Sequence, residues 1–229
     1  MATKQKLDTS IQVEIPKMEL QTFPLKIVGD TPLITNAWSE KAKREMVQKQ
    51  LKKAATAREA RRPWVEFADT LYWLTDKPDL DGLTDEQAGE VLQEVIPKSK
   101  FGFPVVAFKA AALDAGFQQG ALVRNAGTAS LAKSTARGAF HIIGGEFAVI
   151  EGTPTIREDM VRIGGISKTA FVCYRAEFKT WSTELLIRFN KQSISMEQIA
   201  NLFRLGGFSN GVGEWRPSRN GPFGTFHIE

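Results

Sequence analysis

Residues 205–224 read Leu205-Gly206-Gly207-Phe208-Ser209-Asn210-Gly211-Val212-Gly213-Glu214-Trp215-Arg216-Pro217-Ser218-Arg219-Asn220-Gly221-Pro222-Phe223-Gly224. Six glycines in twenty residues permit positive φ angles and close approach of backbone. Ahead of them Ser195 is a candidate N-cap, and Met196, Ile199, Ala200 and Phe203 follow at i, i+3, i+4 and i+7, the spacing of a short amphipathic helix over 196–205. Behind them Gly224-Thr225-Phe226-His227-Ile228 predicts a short final strand. The order is therefore helix, glycine-rich loop, strand. A phosphate-binding Walker loop needs Gly-Lys-Ser/Thr, which is absent, and the dinucleotide fingerprint needs the reverse order of elements. Two readings of the loop stand side by side. Its backbone N–H groups at Gly211 and Gly213 can hold phosphate oxygens, with Arg216 and Arg219 adding charge and Trp215 a stacking face. Alternatively it is a plain turn before an edge strand, with Trp215 in the core, and spacing alone favours this simpler form.

Outward from the loop, Trp181, Thr183, Leu185, Ile187 and Phe189 alternate with polar neighbours, the clearest strand in the chain. Phe23, Leu25 and Ile27 predict another, as do Ile11, Val13 and Ile15, 155–163 and 171–178. Phe140, Ile142, Phe147 and Val149, split by Gly144-Gly145, predict a hairpin or bulged strand. Residues 106–119 read as a buried helix, and Leu83-Thr84-Asp85-Glu86-Gln87 starts another that runs to about Val95. Ser39 caps a surface helix over 40–58. Phe101-Gly102-Phe103-Pro104 reads as a turn. Trp64 to Leu74 fits a short helix or a strand, and Ala121 to Gly138 a loop or a helical piece. Strand, helix, strand, helix, loop and strand in this order predict an α+β chain. Its core would be a ferredoxin-like antiparallel sheet in a single domain, with insertions at about 39–100 (helical) and 139–178 (β-hairpin).

The element order and the loop resemble the RAMP superfamily, the repeat-associated proteins of CRISPR systems. Gly211-Val212-Gly213 matches the first half of that family's glycine signature; Gly221-Pro222-Phe223-Gly224 is one residue longer than the second half. The chain is also similar to a group of uncharacterised bacteriophage proteins. Asp30-Thr31-Pro32-Leu33-Ile34, Trp38-Ser39-Glu40-Lys41-Ala42, Arg157-Glu158-Asp159-Met160-Val161 and Gly213-Glu214-Trp215-Arg216-Pro217 carry that likeness. The RAMP resemblance implies an RRM-type core, binding of single-stranded nucleic acid along a filament, and a thumb-like projection from 139–178.

The composition is that of a soluble globular chain: 229 residues, 42% hydrophobic and 24% charged, with a net charge of +4. No apolar run is long enough for a membrane span, and the polar N-terminus does not suit a signal peptide. One cysteine, Cys173, excludes an internal disulfide framework and points to a cytoplasmic setting, the host's if phage-encoded. Charge is segregated. Lys41, Lys43, Arg44, Lys49, Lys52, Lys53, Arg58, Arg61 and Arg62 face only Glu45 and Glu59, a net +7 over 41–62. Residues 76–94 carry a net −6, and 97–137, with Lys98, Lys100, Lys109, Arg124, Lys133 and Arg137 against Asp114, a net +5. The basic blocks fit phosphate contacts; each is equally well a solvated face, and opposed acidic and basic blocks also suit self-association.

No catalytic constellation emerges. His141 and His227 lie in predicted strands as structural or solvent-facing residues. Two histidines and one cysteine cannot form an ordinary zinc site, so neither metal nor cofactor is expected. RAMP resemblance implies an early-loop aspartate where the family cuts RNA; Asp30 occupies such a loop, where turn formation is its simpler role. Glu158 and Asp159 are adjacent, so a strand sends them to opposite faces. Met160 and Val161 read as strand packing, and Cys173 as a buried small hydrophobe. Of the tryptophans, Trp38 and Trp215 are the candidates for base stacking. The expected function is non-enzymatic, sequence-tolerant binding of single-stranded DNA or RNA by a homo-oligomer or filament, in phage replication or recombination. A virion assembly protein is the second expectation and a RAMP-type ribonuclease the third.

Overall fold

The computed structural model describes residues 17–38, 43, 46–48, 50–51, 60–118, 133–163 and 169–229. The expected strand over 11–15 lies outside them, as does most of the 39–58 helix. In chain order the elements are β1 (Leu20–Gly29), β2 (Leu33–Thr35), α1 (Pro63–Asp69), β3 (Tyr72–Trp73), α2 (Asp85–Val95), β4 (Phe101–Pro104) and α3 (Val105–Gln118). There follow α4 (Lys133–Ala139), β5 (Phe140–Ile143), β6 (Phe147–Ile150), β7 (Pro154–Ile163), β8 (Thr169–Phe178), β9 (Ser182–Asn190), α5 (Met196–Ser209) and β10 (Phe226–Ile228).

Four of these strands form one sheet in the order β10-β1-β9-β5, antiparallel throughout. With α3 between β1 and β5 and α5 between β9 and β10, this is the β-α-β-β-α-β order of the ferredoxin-like arrangement. The period of two in β9 explains why one face is dry: Thr183, Leu185, Ile187 and Phe189 are buried while Glu184, Leu186 and Arg188 are exposed. Leu25 and Ile27 of β1 join the same core, with Phe108 and Ala112 of α3 and Phe203 of α5. The helices approach closely because α5 carries glycine at the crossing. A Cβ on Gly206 would stand 2.7 Å from the Ala112 Cα. Both capping boxes are formed, Thr84 with Gln87 at α2 and Ser195 with Gln198 at α5.

Two smaller antiparallel sheets complete the fold, β2-β8-β7 and β3-β4-β6. Each draws strands from two segments of the chain: β2, β3 and β4 lie between β1 and α3, and β6, β7 and β8 between β5 and β9. Neither segment can therefore complete its hydrogen bonding alone. The β7–β8 hairpin pairs over ten residues on each side, about 34 Å of strand, and is held at its base by β2 and α1.

Several expectations change. Phe140–Ile143 is the edge strand of the main sheet and makes no hairpin with Phe147–Ile150; its partner is β9, which sequence periodicity does not reveal. Phe101–Pro104 is a buried strand and not a turn, since Gly102 permits Phe147 and Leu74 to pack against it. The stretch 64–74 is both helix and strand, α1 then β3. Helix α5 continues past 205 to Ser209. Met160 is 73% exposed on the hairpin and does not pack, and Cys173 is half-buried where full burial was expected.

Candidate nucleic-acid interface

The glycine-rich loop folds back onto β2 and itself. Glu214 donates its N–H to the Ile34 carbonyl at 2.9 Å, Gly224 to Pro32 at 2.9 Å, Val212 to Gly224 at 2.9 Å and Gly211 to Gly206 at 2.9 Å. Gly213, at φ +81°, is required to be glycine: a Cβ there would lie 2.6 Å from the Ile34 oxygen. The close backbone approach expected for a phosphate at Gly211 and Gly213 is thus an approach to the protein's own chain. Most of the amides that could have faced a ligand are spent internally.

What the loop does present is side chains. Trp215 adopts φ +54° and is 47% exposed, not in the core. Left-handed backbone at a bulky residue costs about 1–2 kcal/mol, which the surrounding loop hydrogen bonds offset. Its indole leans on Phe223, ring centroids 6.1 Å apart, and Phe223 in turn carries the Arg157 guanidinium 4.6 Å from its centroid. Trp38, 64% exposed, follows β2 on the adjoining segment, where Asn36 reaches the Glu214 carboxylate at 3.4 Å. The structure therefore brings the segments of Trp38 and Trp215 side by side, although 177 positions separate them in the sequence. Arg216 is half-buried and donates to the Gly213 carbonyl; Arg219 is exposed at the end of a short 3-10 turn.

Arg157 belongs to an ionic network on one face of the hairpin. It meets Asp159 at 2.8 Å and Glu177 at 2.7 Å, and Arg175 meets Asp159 at 3.5 Å. Asp159 and Glu177 are buried and Glu158 is exposed, the opposite orientation that strand geometry requires. Burial alone would lower the Arg157 pKa, but the hydrogen bonds it donates to Glu177 and Asp159 outweigh it and raise the pKa.

The expected phosphate-binding cations divide. Arg62 donates to the carbonyls of Leu80 and Leu83 and holds the turn before α2. Arg61 pairs with Glu66 and stacks on Phe171 and Tyr174 of β8; the hydrogen bond it donates to Glu66 leads in raising its pKa. Lys109 donates to the carbonyls of Arg137 and Phe140 at the α4–β5 junction, and burial lowers its pKa. These three have structural partners. Lys98 pairs with Glu94 at the surface. Lys43, Lys100 and Arg137 are exposed. Lys133 opens α4. Lys41, Arg44, Lys49, Lys52, Lys53, Arg58 and Arg124 lie outside the described residues. In the 43–51 stretch Met46, Val47 and Leu51 are all exposed, so its described part rests on no core.

Beside the loop a cleft of about 370 Å³ is lined by Asn36, Tyr72, Phe103, Asp114, Glu214 and Arg216, among others. Burial, with the Glu214 carboxylate behind it, raises the Tyr72 pKa. Two carboxylates against one guanidinium make the cleft poor for phosphate, so a polyanion is better met on the loop surface. Asp30 lies 2.6 Å from His227 Nδ1, and its N–H donates to the Thr225 carbonyl, a turn and strand-end role. Among the described residues no three His, Cys, Asp or Glu side chains converge as a metal site would require. No described helix is long and apolar enough to cross a membrane. Phe223 and Arg157 were missed from sequence because their meeting depends on the hairpin returning to the loop.

No family model and no curated protein matches the chain. Among solved structures, the crystal structure of Cmr6 from Pyrococcus furiosus aligns over 93% of this chain and 100% of its own, at 12% identity and a TM-score of 0.31. A likeness at that level carries no statement about fold or function.

Proposed function

We propose that the protein is a non-enzymatic, sequence-tolerant binder of single-stranded nucleic acid. The observation that carries this reading is the pair of exposed tryptophans, Trp38 and Trp215, on adjoining segments. Every nucleobase offers a π-face, so such rings hold a single strand without reading its sequence. Arg216 and Arg219 follow Trp215 directly, and the +7 stretch of 41–62 follows Trp38 directly. Stacking sites and cations are therefore interleaved, as a single strand with bases and phosphates requires. The finer setting that fits is oligomeric binding along DNA or RNA during replication or recombination of a phage.

The test is fluorescence anisotropy of labelled single-stranded 20-mers of DNA and RNA with wild type, Trp38→Ala, Trp215→Ala and the double variant. Stacking is worth about 1–3 kcal/mol per base, so each single change weakens binding about 5- to 150-fold. Absence of binding at low salt, or an unchanged affinity in the double variant, refutes the reading.

A further inference from the structure

The main sheet has one face covered by α3 and α5 and one face that no described element covers. On that open face the register sets His141 of β5 opposite Arg188 of β9, and Arg188 opposite Thr22 of β1. Residues directly opposite in an antiparallel pair stand about 4.5–5.5 Å apart, so these three form a row across the strands. Around the same end of the sheet the chain gathers further cations. Lys191 follows β9 and donates its N–H to the Glu19 carbonyl, which brings in Lys17, two residues before Glu19. Helix α4 runs directly into β5, which places Arg137 at this end; Lys109 holds that junction through the carbonyls of Arg137 and Phe140.

Lys17, Arg137, His141, Arg188 and Lys191 are all exposed. None of the four Lys and Arg side chains has an ion-pair partner among the described residues. The carboxylates on this side are Glu19 and, two same-face steps along β9 from Arg188, Glu184, which lies opposite Lys26. Lys26 is itself paired with Glu229. Positive charge at this end is thus in excess and unpaired, whereas the far end of the sheet is balanced. The cluster draws on four places in the sequence, 17, 137–141, 188 and 191, and of its cations only Arg137 belongs to a block of charge.

We propose that this end of the open sheet face is a second contact for the nucleic acid, one that takes its phosphodiester backbone. The inference rests on the nucleic-acid reading above and adds a surface to it. Charge complementarity selects the occupant: four cations, an imidazole and the Thr22 hydroxyl offer donors to phosphate oxygens and little else. The described open-face residues include no Phe, Tyr or Trp; beside Thr22, Arg188 and His141 the apolar members of this face include Leu20, Leu186 and Ile143. Bases are therefore stacked at the tryptophans and phosphates held here. The two sites mark opposite ends of β1, whose ten residues span about 34 Å.

Arg188→Gln with Lys191→Gln tests this, with circular dichroism to verify the fold. The readout is the salt dependence of binding to a labelled single-stranded 20-mer, compared with the Trp38→Ala/Trp215→Ala variant. Each phosphate contact on a single strand contributes a slope of about −0.7 in log K against log salt, so two lost contacts reduce the slope by about 1.4. Between 50 and 200 mM salt the double variant then loses about sevenfold less affinity than wild type. An unchanged slope beside weakened binding in the tryptophan variant overturns this inference and leaves the proposed function standing. Failure of the wild type to bind any oligomer overturns both. Binding of phosphatidylserine vesicles that depends on Arg188 and Lys191, with oligomer binding unaffected, overturns it in favour of a lipid surface.

Discussion

Asp159→Asn isolates the network that ties the hairpin to the glycine-rich loop. Asp159 sits buried between two guanidiniums, Arg157 at 2.8 Å and Arg175 at 3.5 Å. Asparagine keeps the shape and one acceptor but turns an NH₂ group toward one arginine and removes the charge that both require. Stripping one partner from a fully buried pair costs about 3–5 kcal/mol. Here the arginine side chains remain 24% and 18% exposed, and Arg157 keeps Glu177. Water and the remaining carboxylate compensate part of the loss, so we expect about 2 kcal/mol. For a chain of this length that lowers Tm by about 4–8 °C. Calorimetry or circular dichroism reads the shift, with Glu158→Gln, exposed on the same strand, as control. The loss should persist in 1 M salt, because buried pairs are screened much less than surface ones. Because Arg157 also stacks on Phe223, which supports Trp215, the variant should weaken oligomer binding as well as stability. A Tm within 1 °C of wild type, or a loss no larger than that of the control, would refute the reasoning.

Gly29→Ala drives a methyl group into the Trp181 indole, whose Cδ1 would be 2.6 Å from it and whose Nε1 donates to the Thr31 carbonyl at 2.9 Å. Overpacking and the disturbed hydrogen bond should cost about 3 kcal/mol in thermal unfolding, while Gly138→Ala, with open space around it, should leave stability unchanged or raise it. The two tyrosines should ionise above the ordinary phenol value near 10 in an absorbance titration of the folded protein and return to it in guanidinium chloride. For Tyr72 the leading cause is burial, and for Tyr174 a hydrogen bond to Glu158. A raised folded pKa means that the stability contributed by Tyr72 is fully present below about pH 10 and is lost as pH rises through the folded value. Tyr72→Phe should accordingly shrink the alkaline fall in Tm; an identical fall in wild type and variant would contradict the assignment.

The main sheet was legible where burial imposes a period. In β9 Thr183, Leu185, Ile187 and Phe189 face the core and their neighbours face water, so the alternation is written into the residues themselves. The same holds for the capped start of α5 and the apolar run of α3. Short strands were not legible. Phe101-Gly102-Phe103-Pro104 has the residues of a turn, and only pairing with β3 and β6 makes it a strand. The 139–150 region looked like one hairpin because Gly144-Gly145 suits a turn. In the fold its halves separate, β5 to the main sheet and β6 to a small one.

The candidate site divides the same way. By themselves the residues determined the α+β class and the helix–loop–strand end of the chain, because propensity, periodicity and glycine content act locally; spacing favoured a core place for Trp215, and only the fold of the loop set it at the surface. Counting charge along the chain marked Arg61, Arg62 and Lys109 as phosphate ligands, yet each is occupied by carbonyls, a carboxylate or an aromatic ring from a distant segment. The same count passed over Arg157, Arg188 and Lys191, which stand isolated in sequence. Only the tertiary structure decided which cations are spent and which are free. A side chain's partners come from whatever segment the strand order sets beside it, and β1 must pair with β9 before Lys17, Arg188 and Lys191 share one end of a sheet.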